Sequence, residues 1–171
     1  MIILFIFMAS DKPESLTYED KRDGKSYDLV KVNDLFWFGW NLDFVTENAT
    51  YYSTDSLSIE RCGQFYGVED ALKVCPQNWR LPTKKEVKKL VKYAKKNDTT
   101  VLELLSITLC GRVDYGKAAK FGQQTTFWLN EPLENGEILH WHIFDEKVEL
   151  HNHNVVQAKR QFPVRCVCGE M

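Results

Sequence analysis

The sequence predicts an α+β fold with antiparallel sheets, two helices and long irregular loops, and three observations carry that prediction. Strand-like stretches gather at the two ends of the chain. A single strongly capped amphipathic helix stands between them, with a shorter helical stretch before it. Strands and helices do not alternate as βαβ units, and no internal repeat is visible, so segregated elements are expected rather than a parallel sheet.

With 171 residues, 44% apolar and 27% charged, the chain has one domain's length and enough apolar material for a core. The first 15 residues are assigned to an export-signal remnant and linker, and 16–171 to the domain. Within the first segment, Met1 to Ser10 are apolar but too short to span a bilayer. They read as the core of an export signal ending at Ala9 and Ser10, the alternative being a strand that packs on the domain. No cysteine follows to carry a lipid anchor. The polar stretch 11–20 reads as a linker. A net charge of −2 and the scattered acids exclude a dedicated nucleic-acid or anionic-membrane protein.

The first elements form a meander. Asp23-Gly24 is a strong hairpin signal between Tyr18 and the run Tyr27, Leu29, Val30, Val32. Asn33-Asp34 then turns the chain into Leu35-Phe36-Trp37-Phe38. Residues 46–58 are loop-like. A short helix is expected over 67–75, with Val68, Ala71, Leu72 and Cys75 on one face and Pro76 ending it. Thr83 followed by Glu86 is a capping box, and it opens a helix reaching Lys96. Val87, Leu90, Val91 and Ala94 form its apolar stripe. Lys84, Lys85, Lys88, Lys89, Lys92, Lys95 and Lys96 take the other positions, as a solvated face would. Residues 97–124 are expected to hold a helical turn and then irregular loop. Strands follow at 125–129, 138–144 and 147–153, the last two joined by Asp145-Glu146. If Phe144 pairs with Lys147, then Trp141 faces Leu150 and Ile143 faces Val148, which leaves Phe144 as the one large apolar residue on the opposite face. A final strand covers 164–168.

Several of these stretches resemble the Fibrobacter succinogenes major paralogous domain family. The shared features are Arg22-Asp23-Gly24-Lys25 with Tyr27, then Trp37, then Asn41-Leu42. Tyr66-Gly67 and Ala71 follow, then Val74-Cys75-Pro76 running into Trp79-Arg80-Leu81-Pro82-Thr83 with Glu86. Phe162 and Val164-Arg165-Cys166-Val167 close the chain. The likeness covers about 17–168, and 97–124 matches poorly. It implies a bacterial, exported domain of C-type-lectin-like fold. It also implies a disulfide between Cys75 and Cys166. Such a bridge closes a loop of about 90 residues, worth roughly 4 kcal/mol in chain-entropy terms. Cys168, two residues on, is a rival partner. The family often has a second cysteine pair, of which Cys62 matches one member, with a tyrosine (Tyr51 or Tyr52) at its partner's position. Cys62, Cys110 and Cys168 are therefore left unassigned, although five cysteines allow two bridges and one thiol.

Candidate chemistry lies in three places. All four histidines, His140, His142, His151 and His153, fall on one face of the expected 138–153 hairpin, with His140 opposite His151. Cross-strand imidazoles are ligands for zinc, nickel or copper, whereas the plainer reading is a solvent-facing strand surface. Around the short loop region, Arg112, Asp114, Tyr115, Trp128, Asn130 and Glu131 are candidates for contacting a glycan or protein ligand, with a core position as the alternative for Trp128. Trp128-Leu129-Asn130-Glu131-Pro132 only partly echoes a calcium-dependent sugar site, which needs more oxygen ligands than are visible. Cys166 and Cys168 are the one pair that a formylglycine-generating-enzyme-like oxidase would use. No Ser-His-Asp arrangement, phosphate loop or H-E-x-x-H is present. The expectation is a non-enzymatic binding module, secreted, periplasmic or at the cell surface, with no cofactor, no nucleic-acid partner and no transmembrane span. The alternatives are a metal-binding protein on the histidine hairpin and the oxidase.

Overall fold

The computed structural model describes residues 16–51, 62–132, 138–153 and 159–169. Residues 1–15, where the export signal and half of the linker were expected, lie outside the described residues, and the other half of the expected linker holds a strand, Thr17–Glu19, rather than a linker.

The first hairpin forms where Asp23-Gly24 predicts it. Strand β1 (Thr17–Glu19) pairs with β2 (Ser26–Val32), Tyr18 opposite Tyr27. In the turn, Gly24 takes φ +75° and its amide donates to the Asp20 carbonyl at 2.7 Å. The buried Asp20 carboxylate meets Arg22 at 2.6 Å. Burial alone raises that carboxyl's pKa, but the hydrogen bonds and charge of Arg22 outweigh burial and hold it below the usual range. Arg22 also donates to the Val74 carbonyl, which ties the hairpin to the short helix beyond. The two-residue turn Asn33-Asp34 leads into β3 (Leu35–Phe38), Val32 opposite Leu35. A four-stranded antiparallel sheet, ordered β1-β2-β3-β9, is completed by the terminal strand β9 (Val167–Cys168). The final strand expected over 164–168 is therefore shorter, although Val164 and Cys166 carbonyls still accept from the Leu42 and Phe38 amides.

Helix α1 (Val68–Ala71) is a single turn, shorter than the expected 67–75. After Ala71 the bonding tightens, the Lys73 amide reaching Asp70, and Leu72 turns outward. Pro76 has no amide to continue a helix, and Cys75 is drawn into a disulfide with Cys166. Helix α2 (Lys84–Lys96) carries the expected capping box. The Glu86 amide donates to the Thr83 hydroxyl, the Thr83 amide donates to the Glu86 carboxylate, and Arg80 pairs with the same carboxylate at 2.6 Å. Val87, Leu90 and Ala94 are buried, but Val91, expected in the same apolar stripe, is exposed. The lysine face has a cost: like charges three and four positions apart, such as Lys85 with Lys89 and Lys92 with Lys96, each destabilise a helix by about 0.2–0.5 kcal/mol. Lys84 and Lys85 also oppose the helix dipole at its positive end.

Residues 97–124 hold more order than expected. The helical turn is α3 (Val101–Leu104), with its own capping box from Thr100 and Glu103. Where irregular loop was expected, β4 (Arg112–Asp114) and β5 (Lys117–Ala119) form a hairpin. Its turn, Tyr115-Gly116, has both residues at positive φ, the backbone that matches strand twist in two-residue hairpins. At Gly111 any side chain would collide with the Ala119 carbonyl, so the close approach requires glycine. Then β6 (Gln124–Pro132), β7 (Ile138–Phe144) and β8 (Lys147–His153) form a three-stranded antiparallel sheet.

Two apolar clusters lie between these layers. One joins Tyr27, Phe38, Tyr66, Trp79, Trp128 and Phe162; the other joins Trp37, Val87, Leu90, Phe127, Trp141 and Ile143. Strand β6 serves both, Trp128 on one side and Phe127 and Leu129 on the other. The Arg165 side chain is also fully buried. It donates to Asn41 Oδ1 at 2.6 Å and to the Phe38 and Leu105 carbonyls at 2.9 and 2.8 Å, and burial pulls its pKa down. Among the described residues no helix is long and apolar enough to cross a membrane.

Candidate functional site

Trp128 is among the residues that line a groove beside α1. Its indole donates to the Tyr66 carbonyl at 2.8 Å and its ring packs on Phe162 at 4.4 Å between centroids. It is 1% exposed, so it is a core residue whose margin reaches the groove. The groove encloses about 400 Å³. Its walls come from three stretches far apart in sequence: Asn48, the start of α1 with Glu69 and Asp70, and Lys159 with Arg160 and Gln161.

Each wall is anchored. The Asp70 carboxylate accepts from the Thr46 hydroxyl at 3.0 Å. The Gln161 amide donates to the Asn48 carbonyl at 2.8 Å, joining two walls. Arg160 meets Asp114 at 3.2 Å, and Asp114 also holds Arg112 at 2.8 Å. One carboxylate between two guanidiniums leaves a net positive charge at that wall, in the same groove that Glu69 and Asp70 line. The Val113 amide donates to the Gln161 carbonyl at 3.0 Å, and the reverse bond is also made, so the β4–β5 hairpin supports the same wall.

The six predicted contact residues therefore separate. Trp128 borders the groove, Arg112 and Asp114 stand behind its basic wall, and Tyr115 projects from the hairpin tip at 67% exposed. Asn130 and Glu131 serve α2 instead. The Glu131 carboxylate accepts from the Lys84 amide at 2.7 Å, and the Asn130 amide donates to the Pro82 carbonyl. Glu131 is thus engaged at a helix start. Asn48, Glu69, Asp70, Lys159, Arg160 and Gln161 were not singled out from sequence. No spacing pattern connects positions 48, 69–70 and 159–161, which are brought together by the bridges of Thr50 with Phe65 and Tyr66 with Phe162 and by the Gln161–Asn48 bond.

The histidine hairpin has the expected register, with His140 opposite His151, Trp141 opposite Leu150 and Phe144 opposite Lys147. Its histidine face is only partly a solvent surface, with His142 half-buried and His151 partly exposed. His140 is fully buried, its ring 5.3 Å from that of Phe162. The rings of His140, His142 and His151 lie 5.1, 6.3 and 4.3 Å apart pairwise. His142 Nδ1 is 3.2 Å from the Thr126 hydroxyl, and His151 Nε2 is 3.1 Å from the Glu149 carboxylate. Among the described residues no three or more histidine, cysteine, aspartate or glutamate side chains are arranged to hold a metal ion. His153 pairs with Ile138 in the ladder, but its side chain lies outside what is described.

The cysteines resolve into two bridges, Cys75–Cys166 and Cys62–Cys110. The second bridge sits in a small apolar cluster with Phe65 and Val113. Cys168 is buried and belongs to neither bridge. Cys166 is bonded to Cys75, so Cys166 and Cys168 do not form the dithiol that an oxidase would require. Comparison with known protein families, curated proteins and solved structures finds no match.

Proposed function

We propose that this chain is an exported, non-catalytic binding module of C-type-lectin-like fold, which takes a glycan or protein ligand in the groove beside Trp128. The observation that carries this reading is the composition of the groove's walls. Its lining combines two carboxylates, a guanidinium, an ammonium and two side-chain amides with Val68 and the edge of Trp128. Such convergent, pre-positioned donors and acceptors hydrogen-bond polyhydroxyl or peptide ligands in many orientations. The two disulfides support export, because they persist in oxidising compartments. The bridge from Cys75, just beyond the first helix, to Cys166, just before the last strand, supports the fold, since the family resemblance implies that pairing.

The test is capture on an immobilised panel of neutral and acidic oligosaccharides, comparing the wild-type chain with Asp70→Ala and Arg160→Ala variants. Each substitution is expected to weaken capture by about tenfold or more, the usual effect of truncating a central polar contact. No capture by the wild-type chain, or capture that survives both substitutions, rejects the groove as a glycan site.

A further inference from the structure

The lysines of α2 are grouped more tightly than solubility requires. Lys84, Lys85, Lys88, Lys89, Lys92, Lys95 and Lys96 lie within one arc of the helix surface, and no apolar or acidic residue of the helix falls inside it. Among the described residues none of their ammonium groups lies within 4.0 Å of a carboxylate. A stripe chosen for helix stability would interleave glutamate, whereas this one repels itself along its length. The face is also concave. Lys89, Lys92 and Lys96 form one side of a groove of about 480 Å³, which the Asn33-Asp34 turn closes on the other. Tyr93 and Asn97 complete the lining, and Asp34 is the single carboxylate in it.

We propose that this groove binds an acidic polysaccharide, with the lysines taking its carboxylate or sulfate groups and Asn33, Tyr93 and Asn97 meeting its hydroxyls. Charge complementarity selects a polyanion, because a row of ammonium groups gains most from a chain whose charges repeat along it. The groove selects a single strand over a bilayer, since the Asn33-Asp34 wall stands beside the lysines. No apolar side chain inside the arc is available to insert among lipids. This site is separate from the groove beside Trp128 and stands or falls independently of it.

The experiment uses the full chain and measures binding to polygalacturonate, with neutral dextran, duplex DNA and phosphatidylglycerol vesicles as alternatives. A Lys89→Gln, Lys92→Gln, Lys96→Gln variant is compared with a Lys31→Gln, Lys117→Gln, Lys147→Gln variant of the same net charge. Wild-type chain is expected to bind polygalacturonate and not dextran, and to bind less tightly as salt rises. The α2 variant is expected to bind at least about tenfold more weakly, with the control within about twofold. Relief of like-charge repulsion should leave the α2 variant melting no lower than wild type, which separates lost binding from lost folding. Equal losses in the two variants, equal binding to dextran, or tighter binding to DNA or to the vesicles than to polygalacturonate would each overturn the proposal.

Discussion

Arg165 concentrates the energetics of this core at a single side chain. A buried guanidinium with no carboxylate partner among the described residues is costly unless its donors are met, and here Asn41, Phe38 and Leu105 accept three of its five N–H bonds. Through these bonds the last strand region is held to the segment after β3 and to the end of α3. Truncating it to alanine strands three buried acceptors and opens a cavity, each effect separately destabilising. Arg165→Ala is therefore expected to lower unfolding free energy by about 2–4 kcal/mol in urea titrations. Arg165→Lys should fall between alanine and wild type, because one ammonium cannot span acceptors on three segments. An alanine variant within about 0.5 kcal/mol of wild type would mean that Arg165 is a passenger in the core. Asn41 and Arg165 both occur in the stretches that carry the family resemblance, yet the 2.6 Å bond between them was invisible in the sequence, because nothing local connects positions 124 apart.

At the scale of elements, the parts legible in sequence are those whose determinants are local. Helix α2 is the plainest case, since the Thr83–Glu86 box and the Val87, Leu90, Ala94 stripe mark both its start and its buried face. Thr83→Ala leaves the Glu86 amide without its side-chain acceptor. A loss of about 1 kcal/mol is expected in thermal or urea unfolding, and an unchanged midpoint would show that Arg80–Glu86 alone holds the helix start. The β7–β8 register was equally legible, because one pairing alone gathers Trp141, Ile143, Val148 and Leu150 on one face. What covers the other face was not. Phe162 packs against His140 from a segment about twenty residues beyond it, so the His140 end of the expected solvent face is interior while Glu149 and His151 stay partly exposed. The β4–β5 hairpin escaped notice for a different reason. Three-residue strands reading Arg-Val-Asp and Lys-Ala-Ala carry no alternation of apolar residues, and only Tyr115-Gly116 hinted at the turn. The groove beside Trp128 was least legible, being assembled by the bridges of Thr50 with Phe65 and Tyr66 with Phe162 and by the Gln161–Asn48 bond.

For the whole molecule, the two disulfides interlock the chain. Cys62–Cys110 spans 48 positions and Cys75–Cys166 spans 91, and the two loops overlap. Chain-entropy models assign roughly 4 kcal/mol to each of these loops taken singly, and the overlap makes them less than additive. That figure is comparable with the whole stability of an ordinary domain, about 5–15 kcal/mol. The chain is therefore expected to depend on oxidation for its fold, and alkylation followed by intact mass checks the count. Native protein should take up no alkyl group, since Cys168 is buried. Denatured but unreduced protein should take up one, mapping to Cys168, and reduced protein five. Three or five groups without reductant would remove one or both bridges from the native state. If one group is found, reduction should lower the unfolding midpoint steeply. A midpoint unchanged by reduction would show that the fold does not depend on the two bridges.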